Sequence, residues 1–181
     1  MISLKSEIIQ KVLSYYFLNP KARLYTRELA SLLKLDSGNL HRKMLELEKE
    51  GLFISEREGR NKFFFINDKF PLLKEYKRIF EAKFGVAEVL AKTLKGVDSL
   101  NEAYVFGSYA KGNFEEGSDI DLLLIGDFNY EIVSKLMSKL EKRWGREINI
   151  IDFSFKEYTN KLKKKDDFLA NVFSGKIIKI I

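Results

Sequence analysis

The segment Phe106 to Gly126, FGSYAKGNFEEGSDIDLLLIG, restricts the possible folds more than any other part of the chain. The runs EAYVFG and DIDLLLIG are short, apolar and of strand length, and the Gly-Ser pair after the first reads as a sharp exit into one helical turn, SYAKG. Helical patterns on either side then alternate with strands, so this part of the chain is expected to form a small α/β domain on one sheet.

The same segment carries chemistry. Gly107 and Ser108 stand where a strand hands over to a helix, so backbone N–H groups and the helix dipole converge on one spot that favours phosphate. Gly107 lets the backbone come close. Asp119 and Asp121 are two apart on a strand and share a face, while Ile120 and Leu122 face the other way. Two carboxylates presented to a phosphate cradle suit the binding of divalent cations in phosphoryl transfer. Lys111 is placed to neutralise phosphate charge, and Ser118 to hydrogen-bond at the strand entry. The chain has no cysteine, and His41 is its single histidine, which excludes thiolate and His-based zinc sites. Any metal must be held by oxygen, which favours Mg²⁺ or Mn²⁺. A Gly-Ser pair or an Asp-x-Asp alone says little; the two together, each with its strand and with ten residues between Ser108 and Asp119, are specific.

The first half has a different pattern. From Ser3 to about Asn19 the apolar residues Leu4, Ile8, Ile9, Val12, Leu13, Tyr16 and Phe17 recur on one helical stripe, stopped by Asn19-Pro20. Thr26 is the expected N-cap of a short helix, RELASLL. Ser37 is the expected cap of a third helix that runs to Glu50, with Leu40, Met44 and Leu47 inward and Gly51 at its end. LFISE and KFFFI then flank REGRN, which predicts a hairpin with Gly59 at the turn. The wing-strand aromatics Phe63, Phe64 and Phe65 are expected to pack on the helices. The resulting division is residues 1–70 as one domain, 71–84 (PLLKEYKRIFEAK within it) as a helical connector, and 85–181 as the second domain. In the last, FKEYTNKLKKKDDFLANVFSG reads as helical with KLKKKDD as a solvated helical face, and KIIKII as a short edge strand.

Charge separates the halves as well. The net charge is +6, and residues 1–80 hold 16 Lys/Arg against 10 Asp/Glu while residues 81–181 hold 16 against 16. A basic head on a neutral body points to a polyanion partner. No apolar run approaches the ~20 residues that span a bilayer, and MISLKSEIIQK carries charges where a signal peptide is apolar, so a cytoplasmic protein without a membrane partner is expected.

Two resemblances extend this reading. Residues YTRELASLLKLDSGNLHRKMLELEKEGLFISEREGRNKFFFIN resemble the winged helix-turn-helix DNA-binding domains of bacterial and archaeal regulators, over roughly the first 70 residues. In such a domain the third helix enters the major groove of double-stranded DNA, which makes Ser37, Gly38, Asn39, His41, Arg42 and Lys43 its reading face. Arg57, Arg60 and Lys62 on the wing would then reach a neighbouring phosphate or the minor groove. Surface charges are mostly just solvated; here the charge excess, the helix order and the hairpin coincide. Two-fold proteins match paired half-sites, so a homodimer is expected.

FGSYAKGNFEEGSDIDLLL resembles the nucleotidyltransferase superfamily related to DNA polymerase beta, most closely its minimal branch, over about residues 85–155. The resemblance implies an α+β chain in which the winged helix precedes a mixed sheet flanked by helices. It also implies a nucleoside triphosphate with Mg²⁺ as ligand, and nucleotidyl transfer as the reaction. Members carry a third carboxylate on the following strand. In REINIIDF that position holds Asn149. Strand parity groups Glu147, Asn149 and Ile151 on one face and Ile148, Ile150 and Asp152 on the other, so Asp152 could substitute only through a bulge and Glu147 only by reach. The expected function is a DNA-binding regulator whose second domain binds nucleotide, with weak or lost transfer. Alternatives are an active transferase that modifies a protein or small molecule, or an antitoxin-type partner of a small helical toxin.

Overall fold

A computed structural model describes residues 4–115 and 117–181, so Ser3, the expected start of the first helix, lies outside the described residues. The chain divides into two compact units. One is Met1–Gly85 with Lys142–Gly145, the other Val86–Glu141 with Arg146–Ile181.

In the first unit the order is α1 (Glu7–Leu18), β1 (Leu24–Tyr25), α2 (Thr26–Leu33), α3 (Ser37–Lys49), β2 (Phe53–Glu58), β3 (Asn61–Ile66) and α4 (Leu73–Phe84). The three strands pair antiparallel in the order β1-β3-β2, and Gly59, at φ +59°, helps turn β2 into β3. The stripes read from the sequence form the core. Val12, Leu13 and Tyr16 of α1 and Leu40 and Met44 of α3 are fully buried with Phe53 and Phe64 of the sheet. Tyr16 also donates its hydroxyl to the Phe64 carbonyl at 2.9 Å, which satisfies a polar group that burial would otherwise penalise. The helix after the hairpin packs on the first unit: Phe80 of α4 is 2% exposed in this core and meets Phe17 edge to face at 5.3 Å.

Both expected helix caps are shifted by one residue. Asp36, not Ser37, caps α3, its carboxylate accepting from the Asn39 amide at 2.8 Å; the negative group also suits the positive end of the helix. Thr26 is the first residue of α2, and its hydroxyl meets His41 Nδ1 at 3.2 Å instead of capping.

The second unit runs α5 (Val86–Leu94), β4 (Leu100–Phe106), α6 (Gly107–Lys111), β5 (Ile120–Gly126), α7 (Tyr130–Trp144, of which residues 142–144 belong to the first unit), β6 (Ile148–Phe153), α8 (Phe155–Lys163), α9 (Asp167–Ser174) and β7 (Ile178–Lys179). The sheet is mixed, in the order β6-β5-β4-β7: β5 is antiparallel to β4 and parallel to β6, and the short edge strand β7 is antiparallel to β4. Leu122 to Ile125 are all fully buried, as a central strand covered on both faces requires. On one face Tyr104, Leu123 and Ile125 pack with Leu169 and Val172 of α9. The tail is helical in two pieces, α8 and α9. Lys165 takes a left-handed backbone at φ 54°, and Asp166 caps α9 by accepting from the Leu169 amide while Lys161 reaches it at 2.6 Å. Two of the charges in KLKKKDD therefore build a break. Among the described residues no helix is long and apolar enough to cross a membrane.

Candidate functional site

Strand register brings the sequence-predicted residues of the second unit into one row. Phe106, the last residue of β4, pairs with Asp121, and Asp121 pairs with Asn149 across the parallel ladder. Paired residues share a face of the sheet. At the end of β4 the chain turns through Gly107, at φ +70°, into α6, so the Gly-Ser turn lies beside Asp121. The contact is close: a Cβ on Gly107 would overlap the Asp121 carboxylate, with Cγ 3.0 Å away.

Asn149 fills the expected third-acid position with an amide. Its Nδ2 donates to Asp121 Oδ1 at 3.1 Å. The two alternative acids do not join. The β5–β6 register runs unbroken from Ile120 opposite Ile148 to Ile125 opposite Phe153, so no bulge rotates Asp152, which pairs with Leu124 on the other face. Glu147 is exposed and ties the strand entry through its backbone, its carbonyl accepting from the Ile120 amide at 2.9 Å.

Asp119 is exposed and precedes the first residue of β5, so it is fixed to the ladder only through the peptide it shares with Ile120. Ser118 closes the turn before it: its hydroxyl accepts from the Glu115 amide at 3.2 Å and its amide donates to the Glu115 carbonyl at 3.1 Å. Lys111 is exposed at the end of α6, with Cε 3.8 Å from where a Cβ on Gly175 would stand. Among the described residues no three acidic or histidine side chains cluster as metal ligands. Two carboxylates, Asp121 beside the glycine turn and Asp119 two residues before it, match in number what one divalent cation shared with phosphate oxygens takes. They do not fit a pair of cations, because the third ligand is an amide already donating to Asp121.

Three residues near this site were not legible in the sequence. Arg146 is only 7% exposed, its Nη1 is 3.4 Å from the Ser118 carbonyl, and its guanidinium lies 5.0 Å from the centre of the Phe114 ring. Phe114 in turn meets Tyr109 of α6 edge to face at 5.3 Å. An arginine beside a strand carries no sequence signal of burial.

The residues singled out in the first unit fall on two neighbouring elements. Ser37, Asn39, His41 and Arg42 are exposed on the first turns of α3, and Arg57 and Arg60 are exposed on the hairpin. A cavity of about 470 Å³ collects Ser37 and His41 with Arg60 and Lys62, and adds Thr26 and Arg27 from the start of α2. Two of the lysines are partly neutralised. Lys62 pairs with Glu48 at 2.6 Å and lies 5.1 Å from the Phe64 ring centre, and Lys43 pairs with Glu46 at 2.6 Å. Burial works against the Glu48 carboxylate, but hydrogen bonds from Lys62 and Ser55 outweigh it and hold its pKa below the usual value. Arg42 donates to Asn39 Oδ1 at 3.0 Å.

A family model described as polymerase beta nucleotidyltransferase matches residues 88–178 of the chain. A protein of Methanocaldococcus jannaschii named as a protein adenylyltransferase is 38% identical over 63 residues, which are 35% of this chain and 63% of that protein. The chain thus spans less than two thirds of that relative. Among solved structures, a toxin–antitoxin complex with AMP-PNP is 19% identical, with a TM-score of 0.39 over 53% of this chain and 73% of the other. TrmBL2, an archaeal chromatin protein, is 18% identical, with a TM-score of 0.29 over 92% of this chain and 72% of the other. Scores this low carry no argument about activity or partner.

Proposed function

Because the chain belongs to the polymerase beta nucleotidyltransferase family, we propose that its second unit binds a nucleoside triphosphate with Mg²⁺ or Mn²⁺. The first unit, in this reading, is a winged helix that places the nucleotide domain on duplex DNA, so that the whole is a nucleotide-responsive regulator with weak or lost transfer activity. Gly107 and Ser108 offer backbone donors to phosphate, and Asp119 and Asp121 hold the cation that neutralises phosphate charge. Lys111 adds a positive charge at the end of α6. No ligand is required from any thiol or imidazole.

The observation that carries this reading is the amide of Asn149 on Asp121. In nucleotidyl transfer a hydroxyl attacks the α-phosphorus, pyrophosphate leaves, and a base takes the hydroxyl proton. A carboxylate at position 149 can take that proton; an amide cannot. Loss of a general base costs about 10²–10⁴-fold in rate, whereas the parts needed for binding remain. The DNA half of the proposal is supported by the charge excess of residues 1–80 and by the basic cavity between the starts of α2 and α3 and the hairpin. A homodimer on paired half-sites is its natural form.

The test is calorimetric titration of each NTP with and without Mg²⁺, followed by a label-transfer assay and an operator-binding assay on the same sample. The proposal expects cation-dependent binding, transfer near background, and a DNA affinity that shifts with nucleotide. The likeness to a protein named as a protein adenylyltransferase favours a second reading, in which the chain transfers AMP to a protein. Robust label transfer from ATP to a protein acceptor would establish that reading in place of the first. A small helical toxin-like partner belongs to the same test, as one candidate acceptor.

A further inference from the structure

Asp119 poses a positioning problem. It is exposed and lies outside the β5 ladder, yet in the proposed function it must stand at a fixed distance from Asp121 and the Gly-Ser turn. The peptide after it is tied by the Ile120 amide to the Glu147 carbonyl at 2.9 Å, and the peptide before it is tied as well. The Ser118 carbonyl belongs to that peptide, and it accepts from the buried Arg146 at 3.4 Å. Arg146 stands two residues before β6, next to Glu147, whose carbonyl receives the first amide of β5. The same guanidinium packs on Phe114, and Phe114 on Tyr109, the residue after Ser108. A continuous line of contacts, Tyr109 to Phe114 to Arg146 to Ser118, therefore joins the phosphate turn on α6 to the carboxylate at the entry of β5.

Burying a guanidinium costs several kcal/mol unless hydrogen bonds and stacking offset it, so a hydrophobic residue would serve mere packing better. We propose that Arg146 and Phe114 are positioning residues of the nucleotide site, which hold the Ser118–Asp119 peptide against α6 so that Asp119 and Asp121 bind one cation together. This rests on the nucleotide reading above. Arg146 touches neither nucleotide nor cation; it acts through Asp119.

The experiment compares the full-length wild type with Arg146→Met, Phe114→Ala and Phe114→Tyr by ATP titration with and without Mg²⁺, by thermal unfolding, and by amide exchange at residues 117–120. Arg146→Met keeps much of the side chain's length and apolar contact while removing the guanidinium, and the unfolding midpoint, read beside the affinity, separates positioning from folding. The expected result is a Mg²⁺-dependent affinity weaker by about tenfold in Arg146→Met and Phe114→Ala, the scale of one weakened contact to a charged group. It comes with faster exchange at 117–120, an unchanged unfolding midpoint, and recovery in Phe114→Tyr, which keeps the ring. A wild type that binds ATP with Mg²⁺ while both variants bind equally well overturns the positioning role alone. So does a loss in Arg146→Met that merely follows global unfolding while Phe114→Ala binds normally. A wild type with no ATP affinity overturns the nucleotide reading and this proposal with it.

Discussion

Asp121 stands directly against the α-carbon of Gly107, filling the space that any side chain at position 107 would take. Strand pairing brings the two together, since Phe106 at the end of β4 pairs with Asp121 and Gly107 follows it, at φ +70°, as the first residue of α6. Gly107→Ala therefore meets two penalties, a left-handed backbone and a displaced carboxylate. The expected outcome is a loss of about 1–3 kcal/mol in denaturant unfolding, the cost of a strained backbone position, together with loss of cation-dependent ATP binding. Unchanged ATP affinity in this variant would separate the turn from the site.

Asp119→Asn with Asp121→Asn removes both carboxylates and keeps their shape. Cation-dependent NTP binding should disappear, while circular dichroism and the unfolding midpoint remain close to those of the wild type, because Asp119 is exposed and Asp121 half-exposed. Retention of the same Mg²⁺ dependence would place the nucleotide elsewhere.

Asn149→Asp restores an acid opposite Asp121, in register with it and on the same face. Metal-dependent nucleotidyl transfer should rise by up to about 10²–10⁴-fold, the range of a general base. Transfer that is already robust in the wild type, indifferent to this change and lost in Glu147→Gln or Asp152→Asn, would show that another acid does the work.

Arg42→Ala with Arg60→Ala tests the basic face. Duplex DNA binding should weaken, and the slope of log affinity against log salt should flatten by roughly 1 for each phosphate contact removed. Arg27→Ala should add to this effect, because Arg27 lines the same cavity as Arg60. Identical binding by the parent and the triple variant across a salt series would remove DNA from the account.

Phe80→Ala tests where the first unit ends. The ring is almost fully buried with Phe17, so truncation should cost about 3–5 kcal/mol in unfolding of that unit, as for other buried Phe-to-Ala changes. A fragment ending near residue 70 should for the same reason be less stable than one ending at Gly85.

Elements with a strong period were legible in the sequence: the α1 and α3 stripes, the hairpin around Gly59, and the strands on either side of the Gly-Ser turn. In these the buried face follows from which residues repeat every two or 3.6 positions, and burial of that face is what stabilises the element. The pattern of two aspartates and one asparagine was equally local, since strand parity alone assigns Asn149 and Asp152 to opposite faces. What lay beyond the sequence were features decided by competition between neighbours. Asp36 and Ser37 are both good caps, and geometry chose the one whose carboxylate reaches the Asn39 amide. The tail charges could have continued a helix, but Asp166 gains more as the cap of α9, paired with Lys161, than on a solvated face. The pairing of Asp121 with Asn149, the fit of Gly107 beneath a carboxylate, and the burial of Arg146 on Phe114 depend on strand order and register. Those are set by long-range contacts that no local pattern encodes, and only the tertiary structure decided them.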